Sequence, residues 1–135
     1  MTTERFLMLE EHLVAPFWQA TEQGKLMFPK CTACETFNWY PSKLCHKCYS
    51  EERVWIESKG RARLYSWSVV NFPFLPDLQN QLPLLPGVID LEDMPIRMVT
   101  RIVGVTEEQL HPGMVLEVTY KREGERNLPL FRPME

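Results

Sequence analysis

Apolar and polar residues alternate along the second half of the chain with the period of two that is typical of β-strands. The alternation predicts five strands, at residues 61–70, 86–92, 95–105, 114–123 and 127–133. In the first of them, Leu64 and Ser66 are expected on one face and Tyr65 and Trp67 on the other. Residues 106–110 are predicted to form one helical turn. Five short strands in about 75 residues fit a small closed β-barrel such as the OB-fold.

The first part of the chain lacks this alternation and is predicted to begin with a short helix. Pro16 suits the first position of a helix and Gly24 suits its end. Residues 1–15 are expected to be a loosely attached lead-in. We therefore divide the chain into a lead-in and helix at 1–24, a middle segment at 25–59 and a barrel at 60–135.

All four cysteines lie in the middle segment, as two Cys-x-x-Cys pairs separated by ten residues. The pairs are Cys31 with Cys34 and Cys45 with Cys48. Two intervening residues allow a tight turn with both sulfurs on one side, and four thiolates complete a tetrahedral zinc site. Such a site has no open position for water or substrate, so the predicted zinc ion is structural and not catalytic.

The residues around the cysteines complete a predicted rubredoxin-like zinc ribbon. Three aromatic residues between the pairs are expected to form a hairpin over the metal: Phe37, Trp39 and Tyr40. Residues 54–57 (VWIE) are predicted to be a strand. An iron centre would use the same four thiolates and stays open as an alternative. His46 could replace a ligand, but with four cysteines available it is expected to be solvated.

Charge and the first residues of the chain bear on its partners and location. The net charge is −3, which argues against general nucleic-acid binding because a basic face is needed to replace counterions. No apolar run approaches membrane-spanning length. The polar, acidic start MTTERFLMLEE resembles no secretory signal, so disulfides are disfavoured and a cytoplasmic location is expected.

The sequence predicts no catalytic set. The three histidines lie in the lead-in, inside the second cysteine pair and in a Pro-Gly turn, without a neighbouring nucleophile: His12, His46 and His111. Three carboxylates cluster near a strand end, where acids are more often solvated than general bases: Asp90, Glu92 and Asp93. Independent catalysis is therefore not expected.

Two sets of residues are candidates for binding CoA, an acyl group or a partner. Four arginines could meet the phosphates, although solvent-facing charges on a sheet are the ordinary explanation: Arg61, Arg63, Arg97 and Arg101. Six of the large apolar residues in the proline-rich segment 71–86 are the other candidates: Phe72, Phe74, Leu75, Leu82, Leu84 and Leu85. Side chains of this size are expected to fold back on the barrel, line an acyl pocket or bury against another chain.

The order of these segments resembles a known family of zinc-ribbon OB-fold proteins associated with acyl-CoA, formerly a domain of unknown function. The matching segments cover about residues 15–133 and are PFWQATEQGKL, CTAC, CHKC, GRARLYSWSVV, GVIDLEDMPIRMVTRIVGV, LHPGMVLEVTY and LPLFRP. Members commonly have glycine after the first cysteine pair and proline inside the second, where this chain has Glu35 and His46.

The resemblance implies a function. Proteins of this family are usually small partners of thiolase-like enzymes, and the pair acts on CoA thioesters as a thiolase, an acyltransferase or a retro-aldolase. The large partner supplies the catalytic residues, and a heterotetramer is expected by analogy. Two alternatives remain: a free-standing acyl-CoA-binding protein and, with less support from the charge, a nucleic-acid-binding module.

Overall fold

The computed structural model describes residues 11–71 and 83–134, which divide into two compact units. The first unit contains the chain up to Lys59 together with Arg122–Asn127. The second contains Gly60–Lys121 and the residues from Leu128 onward. The division into 1–24, 25–59 and 60–135 that was drawn from the sequence stays a prediction.

The first unit contains a helix, α1, at Glu11–Glu22. The prediction that Pro16 opens this helix was wrong, because Pro16 lies inside it. A proline there lacks the amide for one helical hydrogen bond, and the burial of Phe17 and Ala20 in the following turn offsets that loss. The predicted end is confirmed: Gly24 has a φ of 72°, the left-handed conformation that commonly terminates a helix.

Two antiparallel strands follow in this unit. Strand β1 covers Leu26–Cys31 and pairs with β2, which covers Arg53–Ser58 and confirms the strand predicted near 54–57. No strand was predicted from the sequence at β1, which contains Pro29. The register places Cys31 opposite Arg53, so the first metal-ligand candidate stands at the very end of a strand.

The predicted hairpin between the cysteine pairs was wrong. In the described structure the segment's backbone meets β1 at a single bridged pair, Lys30 and Phe37. Trp39 instead turns inward, and its ring centroid lies 4.9 Å from those of both Phe17 and Phe28. Burial of this aromatic cluster stabilises the fold more than a short hairpin would, because an isolated hairpin is at best marginally stable. Tyr40 remains 58% exposed.

The end of α1 is bound by residues 122–127, which belong to the same unit. The Arg122 guanidinium donates to the Glu22 carboxylate at 2.5 Å, and the Asn127 amide donates to the same carboxylate at 3.0 Å. The side chain of Asn127 donates to the Thr21 carbonyl at 2.6 Å, which satisfies an acceptor that a helix end leaves unpaired. The Arg122 guanidinium holds the pKa of Glu22 below its usual value.

The second unit is built on a sheet of five strands: β3 at Arg61–Trp67, β4 at Pro86–Leu91, β5 at Arg97–Arg101, β6 at Val115–Glu123 and β7 at Arg126–Pro133. Their order in the sheet is β5-β4-β3-β6-β7, and the turn between β6 and β7 belongs to the first unit. A short 3₁₀-helix at Glu107–Gln109 lies between β5 and β6. All five strands and the helical turn that the alternation predicted are therefore confirmed.

The sheet curls until its two edges approach each other. Ile102, directly after β5, forms a parallel bridge with Phe131 of β7, and the Val103 amide donates to the Phe131 carbonyl at 2.8 Å. Fully buried side chains such as Leu64 and Leu116 fill the concave side. The result is the curled half-barrel of an OB-fold, in which the two sheet edges meet at Ile102 and Phe131.

Strand β3 differs from the prediction in length and in phase. It ends at Trp67, before residue 70, and its pairing with β4 shifts between Leu64 and Ser66. A bulge of this kind interrupts strict alternation. Ser66 is therefore exposed instead of sharing the buried face with Leu64, and Tyr65 is 54% exposed. The third predicted strand, 95–105, is also shorter, at Arg97–Arg101.

Two glycines provide a matched test of packing in the second unit. Gly60 and Gly113 have φ values of 80° and 79°, so alanine at either position costs about 1 kcal/mol of backbone strain. A Cβ on Gly60 would also lie 2.3 Å from Val118 Cγ1, whereas nothing lies within 4 Å of one on Gly113. We expect Gly60→Ala to lower the free energy of unfolding by about 1–3 kcal/mol more than Gly113→Ala, because overpacking adds to the strain.

Urea denaturation of the two variants measures this difference. The double variant Gly60→Ala/Val118→Ala should recover part of the excess loss, because the clashing methyl group is gone. Equal losses for Gly60→Ala and Gly113→Ala would show that the close approach to Val118 does not constrain the fold.

Candidate metal centre

The first Cys-x-x-Cys pair closes a tight turn at the end of β1. The Glu35 amide donates to the Cys31 carbonyl at 2.9 Å, and the Cys31 amide donates to the Thr36 carbonyl at 2.8 Å. Glu35 has a φ of 66°, the left-handed region in which glycine has the lowest steric cost. The turn that usually carries glycine in the resembling family is thus made here with a glutamate.

The second pair repeats the same turn. The Tyr49 amide donates to the Cys45 carbonyl at 2.9 Å, and the Cys45 amide donates to the Ser50 carbonyl at 2.8 Å. Tyr49 has a φ of 65°, within a degree of Glu35 in the first turn. The two turns, which we call the first and second knuckles, therefore have the same backbone geometry.

The knuckles bring all four sulfurs into one cluster. Each Sγ lies within 4.8 Å of the other three, with Cys31–Cys48 at 3.5 Å and Cys34–Cys45 at 3.6 Å. Four sulfurs around a zinc ion at about 2.3 Å are about 3.8 Å apart, so the cluster has the dimensions of a tetrathiolate site. None of the four forms a disulfide. The residues present therefore fit a tetrahedral metal ion.

Asn38 connects the two knuckles. Its side chain is buried, its Oδ1 accepts from the His46 amide at 3.0 Å, and its Nδ2 donates to the Thr36 carbonyl at 3.3 Å. The His46 ring also turns toward it, with Nδ1 2.5 Å from Oδ1. Sequence reasoning missed Asn38, and the available signal was one amide side chain within an otherwise aromatic segment.

Neighbouring groups perturb the acidity of the clustered thiols. A hydrogen bond with the Asn38 side chain lowers the pKa of Cys45 to about 5, and the Thr36 hydroxyl lowers the pKa of Cys34. At Cys48 the Ser50 amide lowers the pKa, but the adjacent Cys34 sulfur opposes it and the pKa rises to about 12. Crowded thiols resist losing every proton together, so a full set of thiolates calls for a divalent cation among them.

Two of the arginines predicted to bind CoA share one carboxylate on the exposed surface of the sheet. Arg61 Nε and Arg63 Nε lie 3.3 Å and 2.7 Å from the Glu92 carboxylate. Both arginine side chains are about half exposed. Exposed pairs of this kind contribute little to stability, and they leave less positive charge available for a phosphate.

Arg97 is held in a similar way by two neighbours. It donates to Asp90 at 2.7 Å and 3.2 Å, and its guanidinium lies 3.6 Å from the centroid of the Tyr65 ring. The hydrogen bond to Asp90 raises the pKa of Arg97. Two carboxylates of the predicted cluster therefore form ion pairs with three of the four candidate arginines.

Arg101 lies in a different setting, in a groove of about 310 Å³ within the second unit. Leu84 and Leu85 line the same groove, together with Lys121 and Leu130. Three of the residues that the sequence predicted for CoA or acyl binding are therefore brought together. Four others lie outside the described residues: Phe72, Phe74, Leu75 and Leu82.

Comparisons with known proteins agree with this architecture. Residues 18–52 match the family model described as the ChsH2 rubredoxin-like zinc ribbon domain, and residues 55–121 match that of the ChsH2 C-terminal OB-fold domain. The chain therefore belongs to the family of ChsH2-type zinc-ribbon and OB-fold proteins, as the sequence resemblance predicted.

Individual relatives are similar over most of the chain. A chain of the solved structure described as the Ltp2–ChsH2(DUF35) aldolase is 28% identical, with a TM-score of 0.81 over 89% of this chain and 93% of that one. A DUF35-family protein of unknown function from Sulfolobus solfataricus shares the fold at 13% identity, with a TM-score of 0.61 over 99% of this chain and 100% of that one.

A curated relative is longer than this chain. It is described as a probable enoyl-CoA hydratase alpha subunit from Thermomonospora curvata and is 29% identical over 119 residues, which cover 87% of this chain. The match spans 36% of that protein's length. Among the described residues, none of the helices combines the length and apolar character needed to cross a membrane.

A cysteine substitution tests the metal centre. We expect Cys34→Ser to lose the metal and unfold the knuckles, because the segment between β1 and β2 buries little apolar surface of its own. His46→Ala, in the second knuckle, should keep one zinc per chain. Elemental analysis measures the metal content, and the near-ultraviolet circular dichroism of Trp39 reports unfolding of the knuckles. Full zinc in Cys34→Ser would contradict the ligand assignment.

Proposed function

We propose that this chain is the non-catalytic, zinc-binding subunit of a thiolase-like complex that acts on a CoA thioester. The main observation behind this proposal is a structural match over 89% of the chain. The matched chain belongs to the structure described as the Ltp2–ChsH2(DUF35) aldolase, a name that gives two components. The catalytic component would be the larger subunit. The reaction class is a thiolase, acyltransferase or retro-aldolase, and the assembly is a heterotetramer on a thiolase-like dimer.

The metal in this proposal is zinc, held by Cys31, Cys34, Cys45 and Cys48. Its role is structural, because four thiolates complete a tetrahedral shell. The sulfur spacing and the matched zinc-ribbon model support this assignment. Zinc would fix the two knuckles relative to β1 and β2, and the chemistry of the complex would take place elsewhere.

The groove at Arg101 is the proposed contact for CoA or its acyl group on this chain. CoA needs cations for its phosphates and apolar surface for its pantetheine and acyl arms. The groove offers Arg101 and Lys121 beside Leu84, Leu85 and Leu130. Arg61, Arg63 and Arg97 are weaker candidates for the phosphates, because none of them lines this groove.

The same ion pairs weigh against the nucleic-acid alternative. A base-stacking surface on the sheet would use exposed Tyr65, with arginines alongside to meet the phosphates. Here Arg97 covers the Tyr65 ring and pairs with Asp90, and Glu92 takes up Arg61 and Arg63. A free-standing acyl-CoA-binding protein remains the alternative that shares the groove, and partner binding separates the two.

Native mass spectrometry of the tagged chain, purified from the cells that make it, tests the proposed function. We expect a complex with a thiolase-sized partner and one zinc per small chain, and turnover of a CoA thioester by the complex but not by the isolated chain. A zinc-bearing monomer that binds acyl-CoA would support the free-standing alternative. A monomer that binds single-stranded oligonucleotide would overturn both.

Two arginines of strand β5 provide a matched test of the groove. We expect Arg101→Gln to raise the dissociation constant of the complex for CoA about tenfold, the effect of losing one hydrogen bond from a charged group. Arg97→Gln, at the other end of the strand, should change it less than about twofold, because Arg97 does not line the groove. Isothermal titration with CoA measures both. Equal effects would contradict the groove assignment.

A further inference from the structure

The second knuckle presents large apolar side chains to solvent. Tyr49 is 73% exposed and Leu44 is 42% exposed, and they directly follow and precede the Cys45–Cys48 pair. The hydrogen bond from the Cys45 amide to the Ser50 carbonyl holds the entry and exit of the knuckle side by side. A single exposed apolar residue is ordinary, but two on adjoining segments form a surface, which we call the knuckle surface.

The backbone at Tyr49 makes its side chain unusual. Its φ of 65° lies in the left-handed region, which a bulky residue occupies only at a steric cost. The first knuckle makes the same turn at Glu35 with a φ of 66° and a polar side chain. The turn therefore needs no aromatic ring, and a ring that is 73% exposed adds little packing within the chain. A strained position that carries an exposed ring points to a contact outside the chain.

Charges around the knuckle surface indicate the kind of partner. Lys43 and Lys47 are exposed, and the acidic side chains of Glu51 and Glu52, which follow the knuckle, are exposed as well. Four thiolates on a divalent ion would leave two further negative charges. The surface therefore has no net positive charge, and a nucleic-acid backbone would gain little from counterion release. A protein with an apolar hollow for the Tyr49 ring fits it better, because buried aromatic anchors dominate protein interfaces.

We infer that the knuckle surface, with Tyr49 as its anchor and Leu44 beside it, docks onto an apolar hollow of the catalytic subunit. This inference rests on the proposed function, because it assigns a surface to the partner proposed there. It gives the ribbon a second role: zinc coordination shapes the knuckle, and the knuckle carries the anchor. Cys48 directly precedes Tyr49, and Cys45 directly follows Leu44.

Four versions of the full-length chain test the anchor: wild type, Tyr49→Gly, Tyr49→Phe and Glu35→Gly. Glycine removes the ring and suits the left-handed backbone, so Tyr49→Gly is expected to fold and to keep one zinc. Glu35→Gly relieves the same backbone strain in the first knuckle and is the matched control. The probe is the catalytic subunit recovered with the wild-type chain, purified separately and titrated by biolayer interferometry.

We expect Tyr49→Gly to weaken binding about tenfold or more, as for an interface anchor, while Glu35→Gly and Tyr49→Phe stay within about threefold of wild type. A photo-crosslinking benzoylphenylalanine at position 49 should label the catalytic subunit, and the same residue at position 35 should not. Unchanged affinity of Tyr49→Gly would overturn the inference and leave the proposed function standing.

Three other results would also overturn the inference. Loss of zinc from Tyr49→Gly would make the ring a structural part of the knuckle. Binding of a single-stranded oligonucleotide that Tyr49→Gly abolishes would make the knuckle a nucleic-acid surface. Failure of the wild-type chain to bind any catalytic subunit would instead remove the proposed function, and the inference with it.

Discussion

Convergence of four cysteine sulfurs within 4.8 Å is the constraint on which the first unit depends. Residues 32–52 contain turns, bends and irregular chain but no strand or helix, and such a segment has little regular hydrogen bonding to hold it. Its position comes from Cys31 at the end of β1, from Asn38 between the knuckles and from the packing of Trp39. In our proposal zinc completes this arrangement, and its binding energy contributes directly to folding.

The two knuckles show how one backbone geometry serves different side chains. Glu35 and Tyr49 adopt the same left-handed conformation, at φ values of 66° and 65°. The hydrogen bonds to Cys31 and Cys45 define the turn in both cases, so the side chain at this position is left without a required role in the fold. One knuckle carries a carboxylate there and the other an aromatic ring, which gives the two sides of the ribbon different surfaces.

Ion pairing on the OB-fold changes how its charged residues are interpreted. The sequence offered arginines as phosphate ligands and carboxylates as possible bases, and the structure pairs them: Arg61 and Arg63 with Glu92, and Arg97 with Asp90. Each ion pair lowers the net charge that its members present to a ligand. Arg101 lies beside Leu84 and Leu85, and this cation within an apolar groove is the feature on which the proposed CoA contact depends.

The sequence alone was enough for the zinc ribbon, the five strands of the barrel and the resemblance to the family, because cysteine spacing and alternation are local patterns. It was not enough for the helix around Pro16, for strand β1, or for the bulge after Leu64, where packing overrides local preference. Only the tertiary structure placed Asn38 between the knuckles, paired Arg97 with Asp90 and left Tyr49 exposed. These features join residues distant in sequence or depend on what surrounds a side chain, and no local pattern specifies them.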